Sequence, residues 1–89
     1  MKIITITQEQ IQDELLNFLS RQFFVPVSEI DLDKSLVDTG IIDSMGLIEI
    51  SAYIEQEYRF KVTEDMMHRE NFGSVLKIVR FISSQNGKE

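Results

Sequence analysis

Cysteine is absent from this chain of 89 residues, and histidine occurs only once, at His68. Without cysteine, the fold can contain neither a disulfide nor a thiolate zinc site. A single histidine leaves little material for a metal site or for catalysis by imidazole. No apolar run approaches the roughly 18 residues that a membrane-spanning helix needs. The N-terminal apolar run is also too short for a signal peptide, so we expect a cytoplasmic protein with no membrane span.

The length and charge point to one small acidic domain. We expect a single domain over residues 1–89, with a core at about 8–83 and flexible ends at 1–6 and 84–89. The formal net charge is −6, and residues 31–57 hold seven acids and one base. A surface of this sign repels nucleic acid and attracts basic partners, although it can also serve solubility alone.

Helical periodicity predicts an all-α fold, a small four-helix bundle of three main helices and one short one. The first helix is predicted over 8–23, because Thr7 and Gln10 form a capping box and Pro26 blocks its continuation. A long loop over 24–42 separates it from the second helix. The remaining helices are predicted over 44–58, 64–68 and 72–83, with Thr63 as a cap for the third and Asn71 or Ser74 for the fourth.

The second helix has two apolar faces, which is unusual for a domain with one core. The face predicted to pack against the core carries Leu47, Ile50, Ile54 and Tyr58, and Glu57 falls on the same side. The opposite face carries Met45, Ile48, Glu49 and Ala52, with Glu55 at its edge. A single core cannot bury both faces, so the outward face is predicted to contact something else. The alternative is a helix that is buried on both sides.

Ser44 lies where the long loop meets the second helix, and Asp43 or Ser44 is the predicted cap. A helix N-terminus offers unpaired N–H groups and a positive dipole end, and both favour a phosphate bonded to a serine there. Gly46 is predicted to leave the surface beside Ser44 open. Taken by themselves, Asp43 and Ser44 are also compatible with an ordinary helix cap.

Two segments resemble the acyl carrier protein family, which includes peptidyl and D-alanyl carrier proteins. They are Leu36-Val-Asp-Thr-Gly-Ile-Ile-Asp-Ser-Met-Gly-Leu-Ile-Glu49, with the family's Asp-Ser-Met signature, and Asn71-Phe-Gly-Ser-Val75. The resemblance implies that a phosphopantetheinyl transferase attaches 4'-phosphopantetheine from coenzyme A to Ser44, and that the thiol of this arm holds acyl or aminoacyl cargo as a thioester. It implies no catalytic residue in the chain, which we expect to be a monomer.

The resemblance also implies partners and a docking surface. The partners are the transferase, a loading ligase or adenylation enzyme, and synthases or transferases of fatty acid, polyketide, nonribosomal peptide or related biosynthesis. The Gly-x-x-Asp-Ser-Met-Gly form looks closer to D-alanyl and other aminoacyl carriers, which act in cell-envelope modification among other roles. Leu47 and Ile50 are candidates to line a cavity for a short cargo, and a role in core packing alone is the equal alternative for both. The predicted docking residues are Asp43, Met45, Ile48, Glu49, Ala52 and Glu55.

Three other functional classes fit less well, and a fourth remains open. A serine hydrolase elbow needs Gly-x-Ser-x-Gly after a strand, but Ile42 replaces the first glycine. A calcium loop starting at Asp31 lacks its glycine at Leu36 and its glutamate at Ile42. A DNA-reading helix should be basic, whereas the second helix is acidic. A helical interaction module without any arm remains the open alternative.

Overall fold

The computed structural model describes residues 7–86, and this part of the chain is helical, without a strand. The four-helix prediction is confirmed. Two single 3-10 turns, Val27–Glu29 and Glu64–Met66, lie between the helices. The helices are α1 (Gln8–Phe23), α2 (Ser44–Tyr58), α3 (Arg69–Phe72) and α4 (Val75–Asn86).

Helix α1 begins and ends at the predicted residues, because local sequence sets both ends. Thr7 Oγ1 accepts a hydrogen bond from the Gln10 backbone N–H at 3.1 Å, and Gln10 Oε1 accepts one from the Thr7 N–H at 3.0 Å. This is the reciprocal pairing of a capping box. At the other end, Phe24 adopts a left-handed backbone with φ 58° and donates its N–H to the Ser20 carbonyl. Pro26 then directs the chain into the loop.

The loop between α1 and α2 is anchored by buried side chains and by the backbone. Ile30, Leu36 and Ile42 lie in the core. The Leu36 N–H donates to the Gly73 carbonyl at 3.1 Å, and the Leu76 N–H donates to the Leu32 carbonyl at 3.2 Å. These bonds attach the loop to the junction of α3 and α4, and so determine where α2 begins.

The third predicted helix had the wrong bounds. The region predicted as one helix over 64–68 contains the 3-10 turn Glu64–Met66, and α3 follows at Arg69–Phe72. Thr63 precedes the turn but makes no side-chain capping bond. Asn71, a candidate cap for α4, instead donates its side-chain amide to the Met66 carbonyl at 2.9 Å and joins the two short elements.

Helix α4 starts later and ends later than predicted. Phe72, which the predicted range 72–83 includes, ends α3 and is buried in the core. Ser74 is the cap, since its Oγ accepts a hydrogen bond from the Lys77 N–H at 3.3 Å. Residues 84–86 belong to α4, whereas the expected flexibility of residues 1–6 and 87–89 lies outside the described residues.

The core forms around α4, which packs against α1, α2 and α3. Its Val75, Ile78 and Ile82 are fully buried. Phe81 packs edge-on against Phe60, with ring centroids 5.8 Å apart, and so brings the segment after α2 into the core. Within residues 7–86, no helix combines the length and the apolar character needed to cross a membrane.

Candidate functional site

Ser44 is the first residue of α2, and its side chain is exposed. Asp43 is the N-cap, because its Oδ1 accepts a hydrogen bond from the Gly46 N–H at 2.9 Å. The N–H groups of Ser44 and Met45 precede the first intrahelical bond and point out of the helix end. In the described part of the chain, the Ser44 hydroxyl makes no hydrogen bond to protein. The hydroxyl is therefore accessible beside donors that suit a phosphate.

The loop holds this end of α2 in place through Leu36. Its carbonyl accepts hydrogen bonds from the N–H groups of both Ile41 and Ile42, at 3.1 and 3.2 Å. The Ile42 side chain is buried directly before the cap at Asp43. The start of the helix is thus attached to the core, while the serine that follows stays in water.

The prediction that Gly46 opens the surface beside Ser44 is wrong, because Gly46 is buried. A Cβ at this position would lie 2.8 Å from Ile42 Cβ and 3.2 Å from Phe23 Cε1. Glycine is present here because the loop and the last turn of α1 pack directly against the α2 backbone. The sequence shows the glycine but not this packing, because Phe23 lies in another helix and the fold of the loop sets the position of the Ile42 side chain.

The outward face of α2 is exposed over its first three turns. Met45 and Ile48 are 63% and 56% exposed. Glu49 and Ala52 are also exposed, and Glu49 Oε1 accepts a hydrogen bond from Gln22 Nε2 of α1 at 2.9 Å. The result is an apolar strip with a carboxylate beside it. Its role in docking stays a prediction.

Two acids near the end of α2 lie in surroundings that the periodicity did not predict. Glu55 is half-buried, and its Oε2 accepts a hydrogen bond from the Val62 N–H at 2.7 Å. It therefore holds the segment after α2 in place, and its predicted docking role has no further support. Glu57, assigned to the core side, is exposed.

A groove of about 170 Å³ lies next to the Ser44 end of α2. Leu47, one turn after Ser44, lines it together with Val37 and Phe72. Ile50, the other predicted lining residue, is fully buried and does not contribute. His68 and Arg69 form part of the rim, so the single histidine lies closer to this end of the molecule than its sequence position indicates.

Phe24 is the functional candidate that the sequence analysis missed. It is 90% exposed, the highest value among the large apolar side chains that the structure describes as exposed. The sequence indicated part of this result, because Pro26 requires α1 to end close to Phe24. Exposure itself was not predictable, because two adjacent phenylalanines favour burial of both.

The residues at the start of α2 fit a covalent phosphate ester, since an exposed hydroxyl and outward N–H groups meet there. They do not fit a metal site: no group of three histidine or acidic side chains in residues 7–86 is arranged to hold an ion.

Comparisons with known proteins identify the family of this chain. Residues 13–82 match the family model described as "Phosphopantetheine attachment site". D-alanyl carrier proteins of Streptococcus pyogenes, among them those of serotype M5 (strain Manfredo) and serotype M1, are 31% identical over 70 residues, 79% of this chain and 87% of theirs. The NMR structure of the HMG-ACPI domain from the CurA module of Lyngbya majuscula has the same fold. Its TM-score is 0.69 at 24% identity, over 96% of this chain and 87% of that one.

The family match covers most of the chain, and the relatives and the shared fold agree with it. The chain therefore belongs to the acyl carrier protein family, whose covalent cofactor is 4'-phosphopantetheine.

Proposed function

We propose that Ser44 is the attachment site, and that the protein carries acyl or aminoacyl groups as thioesters between enzymes. The observation that carries this proposal is the exposed Ser44 hydroxyl at the first residue of α2, inside the matched family region. The attached group supplies the thiol that a chain without cysteine lacks. The chain contributes position and no catalysis.

The attachment reaction needs an accessible oxygen and a held phosphate. Ser44 Oγ forms a bond to the phosphorus next to the pantetheine half of coenzyme A. The bond from that phosphorus to the oxygen that leads to the adenosine half breaks, and the hydroxyl proton passes to a base on the transferase. In the product, the N–H groups of Ser44 and Met45 lie beside the phosphodiester, where the dipole of α2 favours its charge.

The proposed cargo is an acyl or a small aminoacyl group. The similarity to D-alanyl carrier proteins favours a small aminoacyl group as the second candidate beside an acyl group. The groove beside Leu47, at about 170 Å³, is also better suited to a short cargo than to a long chain. The partners would then be the transferase, a loading ligase or adenylation enzyme, and enzymes that accept the cargo in biosynthesis or cell-envelope modification.

Location and assembly belong to the same proposal. Coenzyme A, the donor of the arm, is a cytoplasmic metabolite, so we propose that the arm is added there and that the carrier works as a monomer. The competing reading, a helical interaction module without an arm, predicts the same fold but no covalent change at Ser44.

Intact mass after incubation with coenzyme A and a broad-specificity phosphopantetheinyl transferase tests the attachment site. The wild type should gain the mass of one phosphopantetheine, and Ser44→Ala should gain nothing. Ser51→Ala is a matched control in the same helix, because the Ser51 hydroxyl already donates to the Ile48 carbonyl at 2.7 Å. This control should be modified normally.

Two results would refute the site assignment. One is a wild type that stays unmodified where a control carrier protein is modified, and the other is a Ser44→Ala variant that still gains the arm. For the cargo, the protein should be isolated from its own host and its mass measured before and after hydroxylamine, which cleaves thioesters. The mass lost identifies an acyl or aminoacyl group.

A further inference from the structure

All exposed large apolar side chains that the structure describes fall between residues 24 and 48. They are Phe24, Val27, Val37, Met45 and Ile48. Three of the five, Val37, Met45 and Ile48, lie within residues 31–57, which hold seven acids and one base. Apolar exposure and negative charge therefore coincide in the half of the chain around Ser44, while the described part of α4 shows neither feature.

Phe24 has the least favourable position of the five for stability. It occupies the residue just after α1 with φ 58°, in the left-handed region that usually selects glycine or asparagine. The ring is 90% exposed, so its packing does little to offset the cost of this backbone conformation. A strained backbone that carries an unburied aromatic ring indicates a role outside the folded chain itself.

The surroundings of Phe24 place it at the Ser44 end of the molecule. Its neighbour Phe23 packs where a Gly46 side chain would start, with Cε1 3.2 Å from that point. One residue earlier, Gln22 donates a hydrogen bond to Glu49 at 2.9 Å. The last turn of α1 therefore lies against the first two turns of α2, and Phe24 projects from the end of that contact.

We infer that Phe24 is a docking residue for the enzyme that attaches the arm to Ser44, and that it inserts into an apolar pocket bordered by basic side chains. The inference rests on the proposed function and adds a partner surface to it. The transferase must reach the Ser44 oxygen itself, so it approaches this end of the bundle more closely than enzymes reached through the finished arm.

Charge explains why the border of that pocket should be basic. Coenzyme A carries phosphates, and the acceptor surface around Ser44 includes Asp43 and Glu49. Donor and acceptor repel each other, so the enzyme between them has to supply positive charge to both. An exposed phenylalanine then adds an apolar anchor of the kind that often dominates an interface.

The chain offers a matched control in Arg59. It is exposed, has φ 62° and occupies the same position after α2 that Phe24 occupies after α1. It lies about 22 Å from Ser44 along the helix, at 1.5 Å for each of 15 residues. Glycine at either position relieves the left-handed backbone equally, but only the change at Phe24 removes the proposed anchor.

The experiment compares transferase kinetics for the full chain, Phe24→Gly and Arg59→Gly, with the carrier as the varied substrate and coenzyme A in excess. Phe24→Gly should raise KM roughly five- to thirtyfold, the range for an aromatic interface residue, and leave kcat unchanged. Arg59→Gly should keep the KM of the wild type. The increase for Phe24→Gly should persist at high salt, because an apolar contact is not screened.

A KM for Phe24→Gly equal to that of Arg59→Gly would overturn the inference. If the glycine variant does not fold, Phe24→Asn replaces it, because asparagine also tolerates the left-handed backbone. An effect on dimer formation in place of KM would also overturn it, because the ring would then contact a second copy. If the wild type takes no arm at all, the proposed function is wrong. If it is modified and only the KM difference is missing, the inference about Phe24 alone is wrong.

Discussion

Replacing Gly46 with alanine should destabilise the protein, although helix propensity alone predicts the opposite sign. Glycine inside a helix costs about 0.8–1 kcal/mol relative to alanine, so propensity favours the substitution by that amount. The new Cβ would, however, lie 2.8 Å from Ile42 Cβ and 3.2 Å from Phe23 Cε1. Ile42 Cβ is attached directly to the backbone and cannot rotate away, so the loop or the helix must move.

The two effects can be compared in magnitude. Inserting an extra carbon into a packed site typically costs about 1–3 kcal/mol. Set against the propensity gain, the net change is a loss of about 0–2 kcal/mol, and we expect about 1 kcal/mol. For a domain of this size, such a loss lowers Tm by about 4–8 °C. Because Ile42 immediately precedes Asp43 and Ser44, the shift should also reduce kcat/KM for attachment of the arm.

Urea unfolding followed by far-UV circular dichroism measures the change, and Ala52→Gly calibrates it. Ala52 is exposed in the same helix, so the stability lost in Ala52→Gly reports helix propensity without any steric contact. The propensity contributions of the two variants are equal and opposite, so the packing cost is the sum of the two losses in unfolding free energy. If Gly46→Ala gains as much stability as Ala52→Gly loses, the close packing of Gly46 against Ile42 and Phe23 is wrong.

Three further predictions concern α2 and its contact with α1. Glu49→Lys should raise the transferase KM at low salt and leave helicity intact, and the effect should shrink as salt screens the charge. Asp43→Ala should lose about 1 kcal/mol of stability with its capping bond, whereas Asp43→Asn should keep the cap and lose only the charge. Tyr58→Phe should lose about 1 kcal/mol with the 2.7 Å hydrogen bond to Glu14. Burial, and then the Glu14 bond, raises the pKa of Tyr58 above 10.0, so the unfolded chain ionises first and wild-type stability falls as pH rises past 10.

Each of these has an outcome that would contradict it. A KM for Glu49→Lys that matches wild type at low salt removes Glu49 from the docking surface. Equal unfolding free energies for Asp43→Ala and Asp43→Asn would show that the cap contributes nothing. Tyr58→Phe and wild type losing stability in parallel above pH 10 would contradict the Tyr58 assignment. Burial also raises the pKa of Tyr53, so Tyr53→Phe is the control that separates the ionisation of Tyr53 from that of Tyr58.

The parts of the fold that depend on neighbours in sequence were predictable. Helix α1 has the predicted bounds because Thr7 and Gln10 cap it locally and Pro26 follows it. Helix α2 does too, because Asp43 caps it and its core face repeats at helical spacing. The exposed position of Ser44 follows from the same local reasoning, since a residue just after a cap lies at the helix end.

What the sequence could not supply are contacts between segments. The role of Gly46 depends on Ile42 and Phe23, which meet it only after the loop has folded. The Val62 N–H donates to Glu55 seven residues earlier, from beyond the end of α2, so a helical wheel places Glu55 at the surface and misses its partner. The split between the turn Glu64–Met66 and α3 also depends on a side-chain bond, from Asn71 to Met66.

These contacts explain how α2 can pack against the core and still leave its outer face available for the proposed docking. The inner face of α2 buries Ile50 and Ile54 completely, and Gly46 lets the loop and α1 pack against the first turn. Met45 and Ile48 are more than half exposed, so they contribute little to the core. The outer face can then carry the proposed docking residues without changing the fold. On this reasoning, Ile48→Ser should leave the unfolding free energy within about 0.5 kcal/mol of wild type, as for an ordinary surface substitution, while it raises the transferase KM. A large loss of stability instead would mean that the outer face belongs to the core.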